Sequence, residues 1–243
     1  MTGVTAIIQA RTGSTRLPGK VLMDIAGEPM LARVMERAGR AKTLDEIVVA
    51  TTTGRADDRI VSLCEDCGWE CFRGSESDVL DRYYQAARAY HADYIVRITS
   101  DCPLIDPGVV DRVVGTFLVS QPGIDYASNF LPRRTYPRGL DTEVMTFRAL
   151  ERSWREDENP AHREHVTQYI LRHPDLFQTY GVVHETDLSH HRWTVDTIED
   201  LTLIRRIYVH FGDDPFSWEE VLLFLEKHPE LAEINRHVIQ KVV

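Results

Sequence analysis

The chain has few cysteines and no long apolar run. Four cysteines in 243 residues are too few and too unevenly spaced for a disulfide framework. Cys64, Cys67 and Cys71 lie close together, and Cys102 stands apart. A Cys-x-x-Cys pair can serve metal or redox chemistry. This one falls inside a helical pattern, RIVSLCEDCGW, with no second pair, so buried or half-buried thiols are the plainer reading. A reducing, cytoplasmic setting fits. No apolar stretch has membrane-spanning length and no charged-then-apolar leader opens the chain, so membrane insertion is not expected. Positive charge is also in short supply: 28 Lys and Arg face 38 Asp and Glu, a formal net charge of −10. That argues against a general nucleic-acid or membrane-surface binder. Linkers, internal repeats and low-complexity tracts are missing. So are two phosphate fingerprints, GxxxxGK[ST] and GxGxxG.

What is present is an alternation of short apolar runs and amphipathic stretches. Residues 4–9 read as a strand buried on both faces, with two adjacent isoleucines. EIVVATT from Glu46, a short run at Glu70–Phe72 and Asp93–Ile98 read as further strands. Helices are expected from Pro29 to Arg40, from Asp57 to Cys67, from about Ser77, and after Pro107. This rhythm implies an α/β fold with an open parallel or mixed sheet and helices on both faces. The order loosens after Gln121. IDYAS, TEVMTF and RWTVD suggest strands, FLPRRTYPRGLD a loop, and Ala149–Glu156 and His162–Arg172 helices. WEEVLLFLEKH continues at helical spacing near the end. One domain over residues 1–243 is expected, with an insertion before its C-terminal helices.

Ligands of open α/β sheets bind beyond the C-terminal ends of strands. The loops after Gln9, Thr51 and Ile98 therefore converge. The first, ARTGSTRLPGK, holds Arg11, Arg16 and Lys20 but no acid. The chain through Lys42 carries seven Lys and Arg against three Asp and Glu. Gly13 and Gly19 let the backbone approach a ligand, Ser14 and Thr15 donate hydrogen bonds, and arginine and lysine match polyphosphate. The plainer alternative is a solvated basic turn. In TSDCPLID, Asp101 follows a buried strand and can face the cleft, whereas Asp106 is the better helix cap. Asp196, in TVDTIEDL, repeats that strand-end pattern, and Thr197 with Asp200 resembles a helix-opening cap. A polyphosphate calls for a cation, and Mg2+ takes one or two carboxylates plus phosphate oxygens and water.

Acceptor choice is expected from the second half. PRGLDTEV offers Arg138, Asp141 and Glu143, though both acids also suit solvent-facing turn and edge positions. His162 and His165 share one side of a helix at a spacing that is not HExxH. His190, His191 and Arg192 precede Asp196.

QARTGSTRLPGK resembles the N-terminal signature of the nucleotidyltransferases that make CMP-activated sugars. SDCPLI is similar to their metal-binding strand end, and VDTIEDL to their C-terminal element. RGSESDVLDRYYQAA and YPRGLDTEV resemble the SpsF-like, spore-coat polysaccharide branch of the cytidylyltransferase group. The resemblance spans almost the whole chain, five motifs in order. It implies a three-layer, Rossmann-like nucleotidyltransferase (GT-A-like) domain with a mixed, mostly parallel sheet, and an inserted segment at about residues 121–192 that binds the acceptor and forms a homodimer. It implies that Arg11, Arg16 and Lys20 hold the phosphates and that Asp101 and Asp196 bind Mg2+. Ala10, Gly13 and Ser14 would line the nucleotide, with Gly74 and Asp78 near its base or ribose. Apart from the resemblance, Arg138, Asp141, Glu143 and His165 are the residues expected from their own chemistry to meet the sugar. SDCP departs from the pattern of octulosonate-activating relatives, which points away from that acceptor.

The expected reaction is Mg2+-dependent transfer of a nucleotidyl group, CMP from CTP or the equivalent from another NTP, to a sugar or acidic sugar. Two alternatives stand beside it. One is a glycosyltransferase using a nucleotide-sugar donor, against which the cationic first loop weighs. The other is a non-catalytic nucleotide- or sugar-binding module, which would not need carboxylates converging on that loop.

Overall fold

The structure, a computed structural model, describes residues 3–240. Its first strand, β1 (Val4–Gln9), is buried from Val4 to Ile8. Ile7 and Ile8 point to opposite layers, because side chains alternate across a strand. Ile8 joins the layer that includes α1 (Met30–Ala38), α2 (Asp58–Cys67) and α4 (Pro107–Val119). Ile7 joins the layer built by α3 (Val79–Ala89), α5 (Phe147–Glu156) and α7 (Gln168–Arg172). Such strands need apolar residues on both faces, which is why their sequences run apolar without alternation.

The sheet also contains β4 (Glu46–Thr52), β5 (Glu70–Gly74), β6 (Tyr94–Thr99), β7 (Tyr126–Ser128), β8 (Glu143–Thr146) and β9 (Thr179–Gly181). Their order is β5-β4-β1-β6-β8-β7-β9. β5, β4, β1 and β6 are parallel neighbours. β8 runs antiparallel to both β6 and β7, and β9 is parallel to β7. A small hairpin, β2 (Asp24–Ile25) with β3 (Glu28–Pro29), lies between β1 and α1. From β1 the chain moves outward to β4 and β5, then returns to the other side at β6. That reversal opens a crevice at the carboxyl ends of β1 and β6.

A third cluster covers this end. It packs Ile25, Trp193 and Val195 against α8 (Ile198–Phe211) and α9 (Trp218–Lys227). A short helix, α10 (Pro229–Ala232), follows. Asp106 caps α4 through the backbone N–H groups of Gly108 and Val109. Thr197 caps α8 in a reciprocal pair with Asp200. Neither Asp101 nor Asp196 is a helix cap.

Two expectations need correction. RWTVD is not a strand: its pairing is a single bridge, Arg192 to Arg138. It threads between loops, with Trp193 N–H donating to Arg138 O and Val195 N–H to Asp101 O. The helix expected over His162–Arg172 is two, α6 (Pro160–Glu164) and α7. Between them buried Val166 takes a left-handed φ of 60°, a conformation a β-branched residue adopts only under tertiary demand. The helix expected from about Ser77 runs from Val79. Asp78 is its cap, accepting from Asp81 N–H.

Candidate functional site

A cleft of about 430 Å³ opens at the ends of β1 and β6. The first loop forms one wall. Its backbone is tied down from outside: Asp57, buried in a 3-10 turn before α2, accepts from Thr12 N–H and Thr12 Oγ1, both at 2.7 Å, and from Thr52 Oγ1 at 2.5 Å. Burial pushes the Asp57 carboxyl up, but the Thr52 and Thr12 hydrogen bonds outweigh it and hold the pKa below the usual value. Gly19 closes the loop at φ 70°, with its N–H on Thr12 O, and turns the chain so that Lys20 points inward.

Lys20 is the centre of the cleft. Its Nζ donates to Asp101 Oδ2 at 2.8 Å, Asp196 Oδ1 at 2.9 Å and Val195 O at 2.7 Å. Burial lowers its pKa, but Asp101 and Asp196 more than reverse that, and the ammonium is held charged. Asp196 Oδ2 also meets Arg16 at 2.9 Å and Arg192 at 2.8 Å. Burial raises its pKa, and Lys20, Arg16 and Arg192 together bring it below the ordinary carboxylate value. Arg192 is itself fixed by Asp200. Asp101 Oδ1 accepts from Thr99 Oγ1 at 2.6 Å.

Two further arginines reach the cleft from the sheet side. Arg82 on α3 donates to Ser75 O, and Arg97 on β6 pairs with Glu143 across the β6–β8 register. The Nε atoms of both, and Gln9 Oε1, are buried without a protein partner among the described residues. The cleft wall thus holds five cations (Arg11, Arg16, Lys20, Arg82, Arg97) against three carboxylates. His165 stands beside them, its pKa lowered chiefly by burial and so neutral at pH 7. In a chain of net charge −10, such a cleft favours a multiply charged anion.

Comparison with known proteins identifies the family. The family model described as cytidylyltransferase matches residues 5–238. The chain belongs to the cytidylyltransferase family. An uncharacterised protein of Methanocaldococcus jannaschii, MJ1063, is 40% identical over 240 residues, 98% of this chain and 96% of that one. The spore coat polysaccharide biosynthesis protein SpsF of Bacillus subtilis is 34% identical over 96% of this chain and 98% of its own. The solved structure of a cytidylyltransferase from Leptospira borgpetersenii superposes with a TM-score of 0.92 at 34% identity, covering all of both chains. This cytidylyltransferase chain is therefore an enzyme of CTP-dependent nucleotidyl transfer, with the α/β architecture of its relatives.

Of the candidate residues, Ala10, Arg11, Ser14, Arg16, Lys20, Asp101, Asp196 and His165 line this one cleft. Gly13, Gly74 and Asp78 do not. A Cβ on Gly74 would lie 2.9 Å from Arg82 Cγ, so its bareness makes room for that arginine. Asp78 spends one oxygen on the α3 cap and the other on Arg163 at 2.8 Å. Asp141 and Glu143 line an adjoining chamber of about 220 Å³, which shares Arg97, Thr99 and His165 with the cleft. There Asp141 is paired with Arg134, while Glu143 is buried between Arg97 and Tyr126. Arg138 lies apart, in a groove of about 400 Å³ beside His190, His191 and Arg192. Sequence reasoning missed Asp57, Arg82, Arg97 and the Arg192 bond to Asp196. One signal was available: Arg97 interrupts YIVRI, and a charge inside a buried strand needs a partner or a ligand. No group of three or more His, Cys, Asp or Glu suited to a metal occurs among the described residues, and none of their helices is long and apolar enough to cross a membrane.

Proposed function

We propose that the chain transfers CMP from CTP to a sugar or acidic sugar, releasing pyrophosphate, with Mg2+ held by Asp101 and Asp196. The observation that carries this reading is the meeting of those two carboxylates at one cationic loop, both within 3 Å of Lys20 Nζ. Two hard oxygen donors suit Mg2+, which takes its remaining ligands from phosphate oxygens and water, so a larger protein cluster is not required. Bound there, Mg2+ supplies Lewis-acid charge to the reacting phosphate.

The chain's own residues do the rest. Arg11, Arg16 and Lys20 gather the phosphates, with Arg82 and Arg97 as further donors on the opposite wall. A sugar hydroxyl seated in the adjoining chamber, beside Arg97 and His165, attacks the α-phosphorus. A new P–O bond forms to the sugar, the bond to the β-phosphate oxygen breaks to release pyrophosphate, and the hydroxyl proton passes to solvent. Charge that grows on the phosphoryl oxygens meets cations already in place, and holding the two substrates in adjacent chambers supplies the proximity. Similarity to SpsF over nearly the full length supports a role in polysaccharide biosynthesis. Free thiols at all four cysteines suit a cytoplasmic setting.

The test is pyrophosphate release from each of the four ribonucleoside triphosphates, with Mg2+, across a panel of neutral and acidic sugars. CTP with at least one sugar should give pyrophosphate and a CMP-sugar. Failure of every CTP and sugar pair, together with turnover of a nucleotide-sugar donor, would replace this reading by glycosyl transfer.

A further inference from the structure

An ammonium group has three donors, and Lys20 uses all of them inside the protein, on Asp101, Asp196 and Val195 O. Its side chain is 9% exposed. Nothing is left over for a phosphate while those bonds persist. Asp196 is also contacted by Arg16 and Arg192, so three cations already surround it. A bare divalent ion coming to the two carboxylates would have to displace the ammonium and sit among the remaining cations. An ion arriving with a triphosphate differs in two ways. The phosphates carry more negative charge than the ion carries positive, and they offer new acceptors to Lys20. A lysine suits such an exchange, being a compact charge on a flexible four-carbon stem.

We infer that Lys20 is the resident counterion of the Asp101–Asp196 pair, keeping a bare divalent ion out of the free enzyme and passing to a phosphate when ion and nucleotide enter together. The inference rests on the reading above that this pair holds Mg2+.

Mn2+ is the probe, titrated by electron paramagnetic resonance into the nucleotide-free chain and into Lys20→Met, which keeps length and loses charge. The wild type should bind Mn2+ weakly. Lys20→Met should bind it about tenfold tighter or more, because a like charge a few ångströms away is removed. Adding Asp101→Asn to Lys20→Met should abolish that gain. Equal or weaker binding by Lys20→Met overturns the inference, as does tight binding by the wild type or no binding by either protein. Should Lys20→Met not fold, wild-type crystals decide. With Mn2+ alone they should give no anomalous peak between the carboxylates. With Mn2+ and a non-hydrolysable CTP analogue they should give one, with Lys20 Nζ moved off at least one carboxylate. A peak in the absence of nucleotide, a peak in neither crystal, or a peak with Nζ still bonded to both carboxylates overturns it. None of these readouts uses turnover, so an absence of pyrophosphate release from CTP would count against cytidylyl transfer separately.

Discussion

Asp57 does not touch the cleft, yet the first loop hangs from it. Its two oxygens accept three hydrogen bonds, two from Thr12 and one from Thr52. Asp57→Asn keeps the shape and replaces one acceptor oxygen with an amide nitrogen, so at least one donor loses its charged partner. Losing a hydrogen bond to a charged group costs about 1.5–3 kcal/mol. In a chain of this size that corresponds to a fall in Tm of roughly 3–12 °C. The folded-state pKa of Asp57 is depressed, so the unfolded state binds more protons at low pH. The stabilisation is therefore fully present above the unfolded pKa, near 3.8, and is lost as pH falls through the folded value. Calorimetric scans of both proteins from pH 7 downward measure this. Their difference in Tm should hold steady to about pH 5 and shrink in more acid solution. The KM for CTP should rise in Asp57→Asn, because Thr12 and the loop it anchors lose their fixed geometry. An unchanged Tm at pH 7, or a Tm difference that stays constant into acid, would refute the argument that this carboxylate pins the loop.

The other predictions concern the same framework. Gly139 has a φ of 108°, and a Cβ there would lie 2.6 Å from the Trp193 carbonyl carbon; Gly139→Ala should cost about 1–3 kcal/mol from the backbone angle alone, with the clash added, as read from urea unfolding. Arg97→Met leaves Glu143 buried without its cation, and the expected loss is about 3–5 kcal/mol; a loss below 1 kcal/mol by the same measurement would mean that Glu143 reaches water. Asp101→Asn and Asp196→Asn should be strongly non-additive in kcat/KM if the two act as one unit. A double variant whose loss equals the sum of the singles would separate them.

The inner strands of the parallel half were legible because burial on both faces leaves a short apolar run, as in IVVA of β4 and AII of β1. The strand-end rule then located Asp101 and the first loop without any contact being known. The antiparallel insertion of β8 between β6 and β7 was not legible, since pairing order belongs to tertiary packing. RWTVD has a β-like composition, but it is used to span loops and not to build sheet. Glu143 read as either a sugar contact or a solvent-facing edge residue; its pairing with Arg97 is a matter of register, which one strand does not reveal. Asp57 read as the start of a helix, and its bonds to Thr12 cross 45 residues. Lys20 read as a phosphate ligand; its hold on the carboxylates needed distances.

The bonds that centre on Lys20 also order events during synthesis. Lys20 and Asp196 are 176 residues apart. At ordinary elongation rates the loop precedes its distal carboxylate by roughly 9–35 s. For that interval the nascent chain carries Arg11, Arg16 and Lys20 without Asp196, and the crevice lacks the wall that Trp193 and Val195 bring. A nucleotide can stabilise only a state in which its site exists, so it cannot help early segments to fold. It can reward only a chain translated past residue 196. A fragment that stops short of residue 196 leaves Lys20 with Asp101 as its one carboxylate and Arg16 without its partner.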